Sequence, residues 1–241
     1  MPQLSVIVPT FNELGNVVEL RNRVAEALTG IDWEMIFVDD NSPDGTAQAV
    51  REMAQADRRV RCIQRIGRRG LSTACIEGML ASSAPVVAVI DADLQHDERL
   101  LPKMFELIQG GDLDVVVGSR YVESGGIGNW DSSRAAFSRW ATKLSRVVLK
   151  ADLKDPMSGF FMIRHEAALA CIKAGMSGVG FKILLDLFAT SPTPLRYREL
   201  PYKLNRTLNS SQNTISAQAL STRISVIKKN KIKSGIRCHF F

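Results

Sequence analysis

Apolar and polar positions along the chain alternate between two rhythms. Short β-branched runs at Leu4 to Val8, Met35 to Val38, Val60 to Ile63, Val86 to Ile90 and Leu113 to Val117 read as strands. Between them lie stretches with the spacing of one helix face. That spacing is clearest in Val17, Val18, Leu20, Val24 and Leu28, which end at Thr29-Gly30, and in Leu101, Met104, Phe105 and Ile108 ahead of Gly110-Gly111. Glycine at both ends is the expected helix stop. Strands that alternate with helices predict an α/β fold around a mostly parallel sheet. After Arg164 the pattern loosens into helical Glu166 to Ala174 and Phe181 to Ala189, then short extended pieces from Leu195 to Leu200. No internal repeat is visible.

Several of these strands empty into polar clusters, and in an open α/β sheet ligands bind outside the carboxyl ends of the strands. The first strand ends Val8-Pro9-Thr10-Phe11-Asn12-Glu13, and the second Val38-Asp39-Asp40-Asn41-Ser42-Pro43-Asp44-Gly45-Thr46. The fourth ends Asp91-Ala92-Asp93-Leu94-Gln95-His96. Residues i and i+2 of an extended segment project to one side, so Asp91 and Asp93 are expected to aim at one point and hold a hard divalent cation. Mg²⁺ is usually held by one or two carboxylates plus substrate phosphates, which points to a diphosphate ligand. Asp97, ahead of Glu98-Arg99-Leu100-Leu101, reads as a helix cap. Pro43-Asp44-Gly45 is turn chemistry, with Asp44 or Thr46 capping the next helix, whereas Asp39 on the strand tip is a ligand candidate. The loop Ile66-Gly67-Arg68-Arg69-Gly70-Leu71 offers backbone donors and two cations ahead of a helix from Ser72, which suits phosphate oxygens.

Composition narrows the classes further. A chain of 241 residues with 45% hydrophobic content can bury a full core. The start, Met1-Pro2-Gln3, has no basic n-region before its first apolar run, so no signal peptide is predicted and a cytoplasmic location is expected. No apolar stretch approaches the roughly 20 residues of a membrane span. Cys62, Cys75, Cys171 and Cys238 lack metal or redox spacing and read as packing residues. The net charge of +6 is uneven, because Lys203, Arg206, Arg223, Lys228, Lys229, Lys231, Lys233 and Arg237 follow Pro201 with no acid among them. The body is near neutral and the tail cationic, without the aromatic and basic surface motif that would mark a nucleic-acid binder.

Taken together, the strand-end blocks, with Gly118-Ser119-Arg120-Tyr121 and Asp155-Pro156-Met157-Ser158-Gly159-Phe160, resemble the dolichol-phosphate mannosyltransferases of glycosyltransferase family 2. The resemblance runs collinearly over residues 4 to 200. It implies a GT-A-type nucleotide-sugar-binding domain over 1–200 and a diverged basic tail over 201–241. It also implies that Pro9, Phe11, Glu13, Asp39 and Ala92 embrace the donor, and that Asp91, Asp93 and Gln95 hold Mg²⁺ or Mn²⁺ against its diphosphate. The donor it implies is GDP-mannose, with a UDP-glucose enzyme as the alternative, and the acceptor is a polyprenyl or dolichyl phosphate. Arg120, Arg134 and Ser138 are the expected holders of the acceptor phosphate, since residues four apart share a helix face and guanidinium grips phosphate bidentately. In that helix Phe137, Trp140, Ala141, Leu144 and Val148 form one stripe and Arg139, Lys143, Arg146 and Lys150 another, a pattern suited to peripheral contact with an anionic bilayer.

Beyond Pro201 the resemblance breaks. The family usually continues with an arginine and then a glycine-glutamate-serine-lysine cluster on the donor phosphates. Here Arg206 stands in the arginine position, but Asn209-Ser210-Ser211-Gln212 replaces the cluster. A non-catalytic nucleotide-sugar or lipid-binding homologue is therefore the main rival reading. A nucleotidyltransferase would share the α/β body but needs a glycine-rich signature with an activating lysine, absent after Val8.

Overall fold

The computed structural model describes residues 1–122, 151–178 and 183–204. In chain order these form β1 (Leu4–Thr10), α1 (Val17–Ala27), β2 (Trp33–Asp39), α2 (Thr46–Ala56), β3 (Val60–Gln64), α3 (Leu71–Ala81) and β4 (Val86–Val89). A 3-10 turn over Glu98–Leu100 leads into α4 (Leu101–Gln109) and β5 (Val115–Ser119). They continue with β6 (Phe161–Arg164), α5 (His165–Lys173), α6 (Ile183–Thr190) and β7 (Tyr197–Pro201). The strands make one sheet in the order β3-β2-β1-β4-β6-β5-β7. Every pairing is parallel except those of β6, which runs antiparallel to both β4 and β5.

Strand alternation sorts the core into two layers. Val6, Val8, Met35 and Phe37 face α1 and α4 through Leu20, Val24, Met104 and Ile108. Their neighbours Ile7, Ile36 and Val38 face the other way, onto Ala74, Cys75 and Met79 of α3, in a layer that also holds Leu184 and Leu187 of α6. Side chains that alternate across a strand while both faces are covered by helices explain why the strands read as continuous apolar runs. Gly30 and Gly111 take positive φ beyond α1 and α4, the helix stops expected from the sequence.

β6 is the element that the hydrophobic pattern did not announce. It inserts between β4 and β5 although it follows both in sequence, and its four residues carry no turn signal that separates them from α5. The parallel strands run outward from β1 in two directions, to β2 and β3 on one side and to β4 on the other, so the order reverses between β1 and β4. Ligands of open α/β sheets gather at such a reversal. No helix among the described residues is long and apolar enough to cross a membrane.

Candidate active site

Three loops leave the carboxyl ends of β1, β2 and β4, and each contains one non-glycine residue in the left-handed region: Asn12 at φ 61°, Asn41 at φ 57° and Leu94 at φ 60°. Asparagine visits that region readily, but for leucine it costs about 1–2 kcal/mol. Leu94 is held there because its side chain is 5% exposed and seated in the core. Strain of this kind concentrates at functional sites.

The first two loops are sewn together. Asn12 N donates to Ser42 Oγ at 3.0 Å, Glu13 N to Thr46 Oγ1 at 3.0 Å and Leu14 N to Asp44 Oδ2 at 3.1 Å. Asp44 Oδ1 also accepts from Thr46 N at 3.0 Å, the helix-start role expected of it. Asp97 likewise accepts from Arg99 N at 3.2 Å. Asp39 is fully buried and takes hydrogen bonds from Thr10 Oγ1 at 3.2 Å, Ser42 N at 2.9 Å and Ser42 Oγ at 2.6 Å. A carboxylate in this position braces the turn from within.

The acidic pair converges by a different route from the extended alternation expected. β4 ends at Val89, and Asp91 to Gln95 form a turn in which Asp93 Oδ1 accepts from Gln95 N at 3.0 Å. Leu94 supplies the left-handed corner. Burial pushes the Asp93 carboxyl above its usual range, and the negative charge of Asp91 adds to the shift. Burial likewise raises Glu13, with Asp93, Asp91 and Asp44 adding to it against a hydrogen bond from Asn16. Acids of the β1 and β4 loops thus repel one another in partly desolvated surroundings, a charge distribution that a cation relieves. Among the described residues no three His, Cys, Asp or Glu side chains gather as a metal cage. Two carboxylates and the Gln95 amide fit the other kind of site, in which ligand oxygens complete the shell.

Around these acids the expected donor residues are spread unevenly. Pro9 and Ala92 are buried, while Phe11 is 42% exposed with the Arg69 guanidinium 4.5 Å above its ring. Arg69 comes from the 66–70 loop. That loop is anchored by two residues that the sequence did not single out: Gly70 N donates to Asp40 Oδ2 at 2.7 Å, and Arg65, 1% exposed, pairs with Asp40 at 2.9 Å. Arg65 also donates to Gly70 O and Thr73 Oγ1, and Arg68 pairs with Glu77 at 2.8 Å. A buried arginine at a strand end looks like any other arginine in the sequence.

The β5, β6 and β7 side of the edge is built from matched charges. Arg120, read as an open phosphate holder, clasps Asp155 through Nε and Nη2 at 2.7 Å each, with its backbone N 3.2 Å from Oδ2. Asp155 holds that guanidinium more firmly protonated than usual. Glu199 in turn accepts from Lys154 N at 2.8 Å and Asp155 N at 3.0 Å. The Arg120 fork is therefore already engaged, because Asp155 is buried and needs a countercharge. The next loop residues reach back to the acidic turn. A Cβ on Gly159 would lie 2.4 Å from Asp91 Oδ2, so only glycine lets this backbone lie against the carboxylate. Arg134, Ser138 and Arg206 lie outside the described residues, as does the 137–150 stripe.

With strained corners and repelling acids set where the strand order reverses, comparison with known proteins becomes decisive. The model of glycosyl transferase family 2 matches residues 5–170. The chain belongs to glycosyl transferase family 2. Among relatives within that family, the dolichol-phosphate mannosyltransferase of Pyrococcus furiosus is 40% identical over 187 residues, covering 77% of this chain and 52% of the relative. The dolichol-phosphate mannosyltransferase of Saccharomyces cerevisiae is 36% identical over 196 residues, covering 80% of this chain and 72% of the relative. The chain thus spans between half and three-quarters of the length of these two family 2 relatives. Solved structures share the fold: a mannosyltransferase from Pyrobaculum calidifontis in complex with GDP-Man and Mn²⁺ gives a TM-score of 0.62 at 18% identity, covering 88% of this chain and 58% of that one. Mannosyl-3-phosphoglycerate synthase from Rubrobacter xylanophilus gives 0.59 at 15% identity, covering 100% and 77%. The expected GT-A-type α/β fold of this family 2 chain is borne out.

Proposed function

We propose that this family 2 chain transfers a hexose, mannose from GDP-mannose, to a polyprenyl or dolichyl phosphate with inversion at the anomeric carbon. The observation that carries the reading is the acidic turn at the strand-order reversal, where burial and the charge of Asp91 raise Asp93. Its donor set fits Mg²⁺ or Mn²⁺ held by Asp91, Asp93 and Gln95. When bound, that cation supplies Lewis-acid neutralisation of charge on the departing nucleoside diphosphate.

The chain's own residues would do the rest. Phe11 offers an exposed ring for the nucleobase, with the Arg69 guanidinium beside it for the phosphates. Glu13, Pro9 and Ala92 shape the floor, and Asp39 keeps the β2 turn rigid. The acceptor phosphate is already anionic, so its oxygen needs positioning and no general base. One oxygen attacks the anomeric carbon in line, the bond to the nucleoside diphosphate breaks on the opposite face, and the configuration inverts. We assign the acceptor side to the neighbourhood of Arg120, whose engaged fork serves as a rigid post, with Arg134, Ser138 and, for the donor, Arg206 as its expected partners. A catalytic body over 1–200 with an appended basic tail, working peripherally at the cytoplasmic face of a membrane, completes the reading.

The direct test is transfer of radiolabel from GDP-[¹⁴C]mannose to polyprenyl phosphate with Mn²⁺ present. Labelled lipid that disappears with EDTA supports the reading. A chain that shows Mn²⁺-dependent thermal stabilisation by GDP-mannose but no transfer is a binder, and the enzymatic reading falls. Stronger stabilisation by UDP-glucose than by GDP-mannose overturns the choice of donor.

A further inference from the structure

Asp91 does not stand alone on its turn. Its Oδ2 lies 3.1 Å from His96 Nε2, and His96 Nδ1 lies 2.8 Å from the hydroxyl of Tyr202, a residue 106 positions further along the chain. His96 is 6% exposed and Tyr202 is 4% exposed. The imidazole is wedged between two rings, with Phe160 at 5.2 Å and Tyr202 at 5.5 Å between centroids, and Phe160 meets Tyr202 edge-on at 5.7 Å. Tyr202 is itself fixed by its backbone N, which donates to Ser119 O at 3.2 Å at the end of β5.

Of the two neutral tautomers, one fits this geometry. With the proton on Nδ1, the bare Nε2 lone pair would face the Asp91 carboxylate, two acceptors against each other. With the proton on Nε2, the ring donates to Asp91 and accepts from the Tyr202 hydroxyl, so both contacts are hydrogen bonds. Burial keeps the Tyr202 phenol protonated and able to donate. Carboxylates that hold a metal are themselves oriented by hydrogen bonds from supporting groups, and His96 is placed to give Asp91 one. The second restraint is Gly159, whose backbone lies against the same oxygen. The Asp91 carboxylate is thus pinned through Oδ2 while its side chain keeps 33% exposure.

We propose that His96 is a positioning residue for the cation ligand Asp91, and that Tyr202, by fixing the imidazole, makes cation affinity depend on the chain just after β7. The proposal rests on the assignment of Asp91 as a cation ligand. It gives the buried pair His96 and Tyr202 a purpose beyond packing, because a phenylalanine would fill the space of Tyr202 equally well and leave the imidazole free to turn.

The test measures Mn²⁺ affinity by electron paramagnetic resonance of the free ion, with GDP present and no transfer assayed. His96→Leu is expected to weaken Mn²⁺ about 10- to 100-fold, the range typical of supporting-shell substitutions. Tyr202→Phe, which removes one oxygen, should weaken it less. His96→Gln, which keeps an N–H donor, should recover part of the loss. The double variant His96→Leu with Tyr202→Phe should be no weaker than His96→Leu alone, since the hydroxyl acts only through the imidazole. Melting temperature is followed throughout, and Tyr202→Phe keeps the test open if His96→Leu does not fold. Unchanged Mn²⁺ affinity in both single variants, or losses that add in the double variant, overturns the proposal. If Asp93→Asn leaves Mn²⁺ uptake intact, or the parent chain takes up none, the assignment of the cation site itself fails, and this proposal with it.

Discussion

The two halves of the sheet's carboxyl edge are built on opposite electrostatic plans. On the β1, β2 and β4 side, Glu13 is raised by burial and by acids of the neighbouring loops and Asp93 by burial and Asp91, and the backbone turns through left-handed corners at Asn12, Asn41 and Leu94. On the β5, β6 and β7 side, Arg120 and Asp155 close a two-pronged pair, and Glu199 caps the backbone beneath it. In the first half Glu13 and Asp93 stand among acids that raise them, although Asp40 there is paired with Arg65; in the second, Arg120 and Asp155 match each other. Charge left uncompensated marks where a ligand is awaited, and charge fully matched marks the frame that positions it.

The contrast is sharpest under substitution. Asp91→Asn with Asp93→Asn should abolish Mn²⁺-dependent transfer, a fall on the order of 10³-fold or more, while the melting temperature of the metal-free chain stays level or rises because two repelling charges are gone. Asp155→Ala should do the reverse to stability. It strands a guanidinium that is only 21% exposed, at a cost of about 3 kcal/mol, or roughly 6–12 °C in melting temperature for a body of this size. Thermal scans of both variants decide the matter: if the acidic pair proves the more costly to remove, the division between ligand site and frame is wrong.

The first half was largely legible in the sequence; in the second, β5, β7 and the blocks around Arg120 and Asp155 were in view, but β6 and the pairings that join them were not. β1, β2 and β4 announce themselves because parallel strands covered on both faces are continuous apolar runs, and their polar tips follow in register. What the sequence misplaced there was conformational: Asp91 and Asp93 converge through a turn with Leu94 at φ 60°, where extended alternation was expected. Nothing in leucine advertises that corner; only burial of its side chain holds it. On the other half, β6 is four residues long and pairs antiparallel with strands that precede it by about 45 to 80 positions. The Arg120–Asp155 clasp and the Asp91–His96–Tyr202 chain also close over long separations. Such contacts leave no local period. His96 was in view as the last letter of an acidic block, but Tyr202 carried no signal.

Gly159 sits where the two halves touch, so it tests whether frame and site are coupled. In Gly159→Ala the new Cβ meets Asp91 Oδ2 at 2.4 Å, and the partly exposed carboxylate is the softer of the two groups. Stability should therefore change little, while displacement of the carboxylate by a fraction of an ångström to an ångström should lower transfer by about 10²-fold. Equal losses in stability and transfer would instead mean that the loop itself had rearranged.

The smallest effect sets Glu13 against a matched acid of the β5 and β7 frame by sign. Glu13 is raised from 4.5, so its ionised form weighs against the fold: the penalty is absent below about pH 4.5, where folded and unfolded chains are both protonated, and is complete once pH exceeds the raised folded value. Glu13→Gln, which keeps an oxygen for Asn16, should raise the melting temperature of the EDTA-treated chain near neutrality, with the gain shrinking as pH falls towards 4.5. Asp114 is the converse: at the amino ends of β5 and β7, away from the carboxyl edge, it is lowered from 3.8 by its hydrogen bonds with Arg196. Its stabilisation is fully present above 3.8 and is lost as pH falls through the lowered folded value. Asp114→Asn should thus lower the melting temperature near neutrality, and the deficit should close only in stronger acid. Added Mn²⁺ with GDP should erase the Glu13 gain, because the bound cation compensates the same charge, and leave the Asp114 deficit where it was. Two curves that bend the same way with pH, or that respond alike to Mn²⁺, would show that Glu13 does not carry charge set aside for a cation.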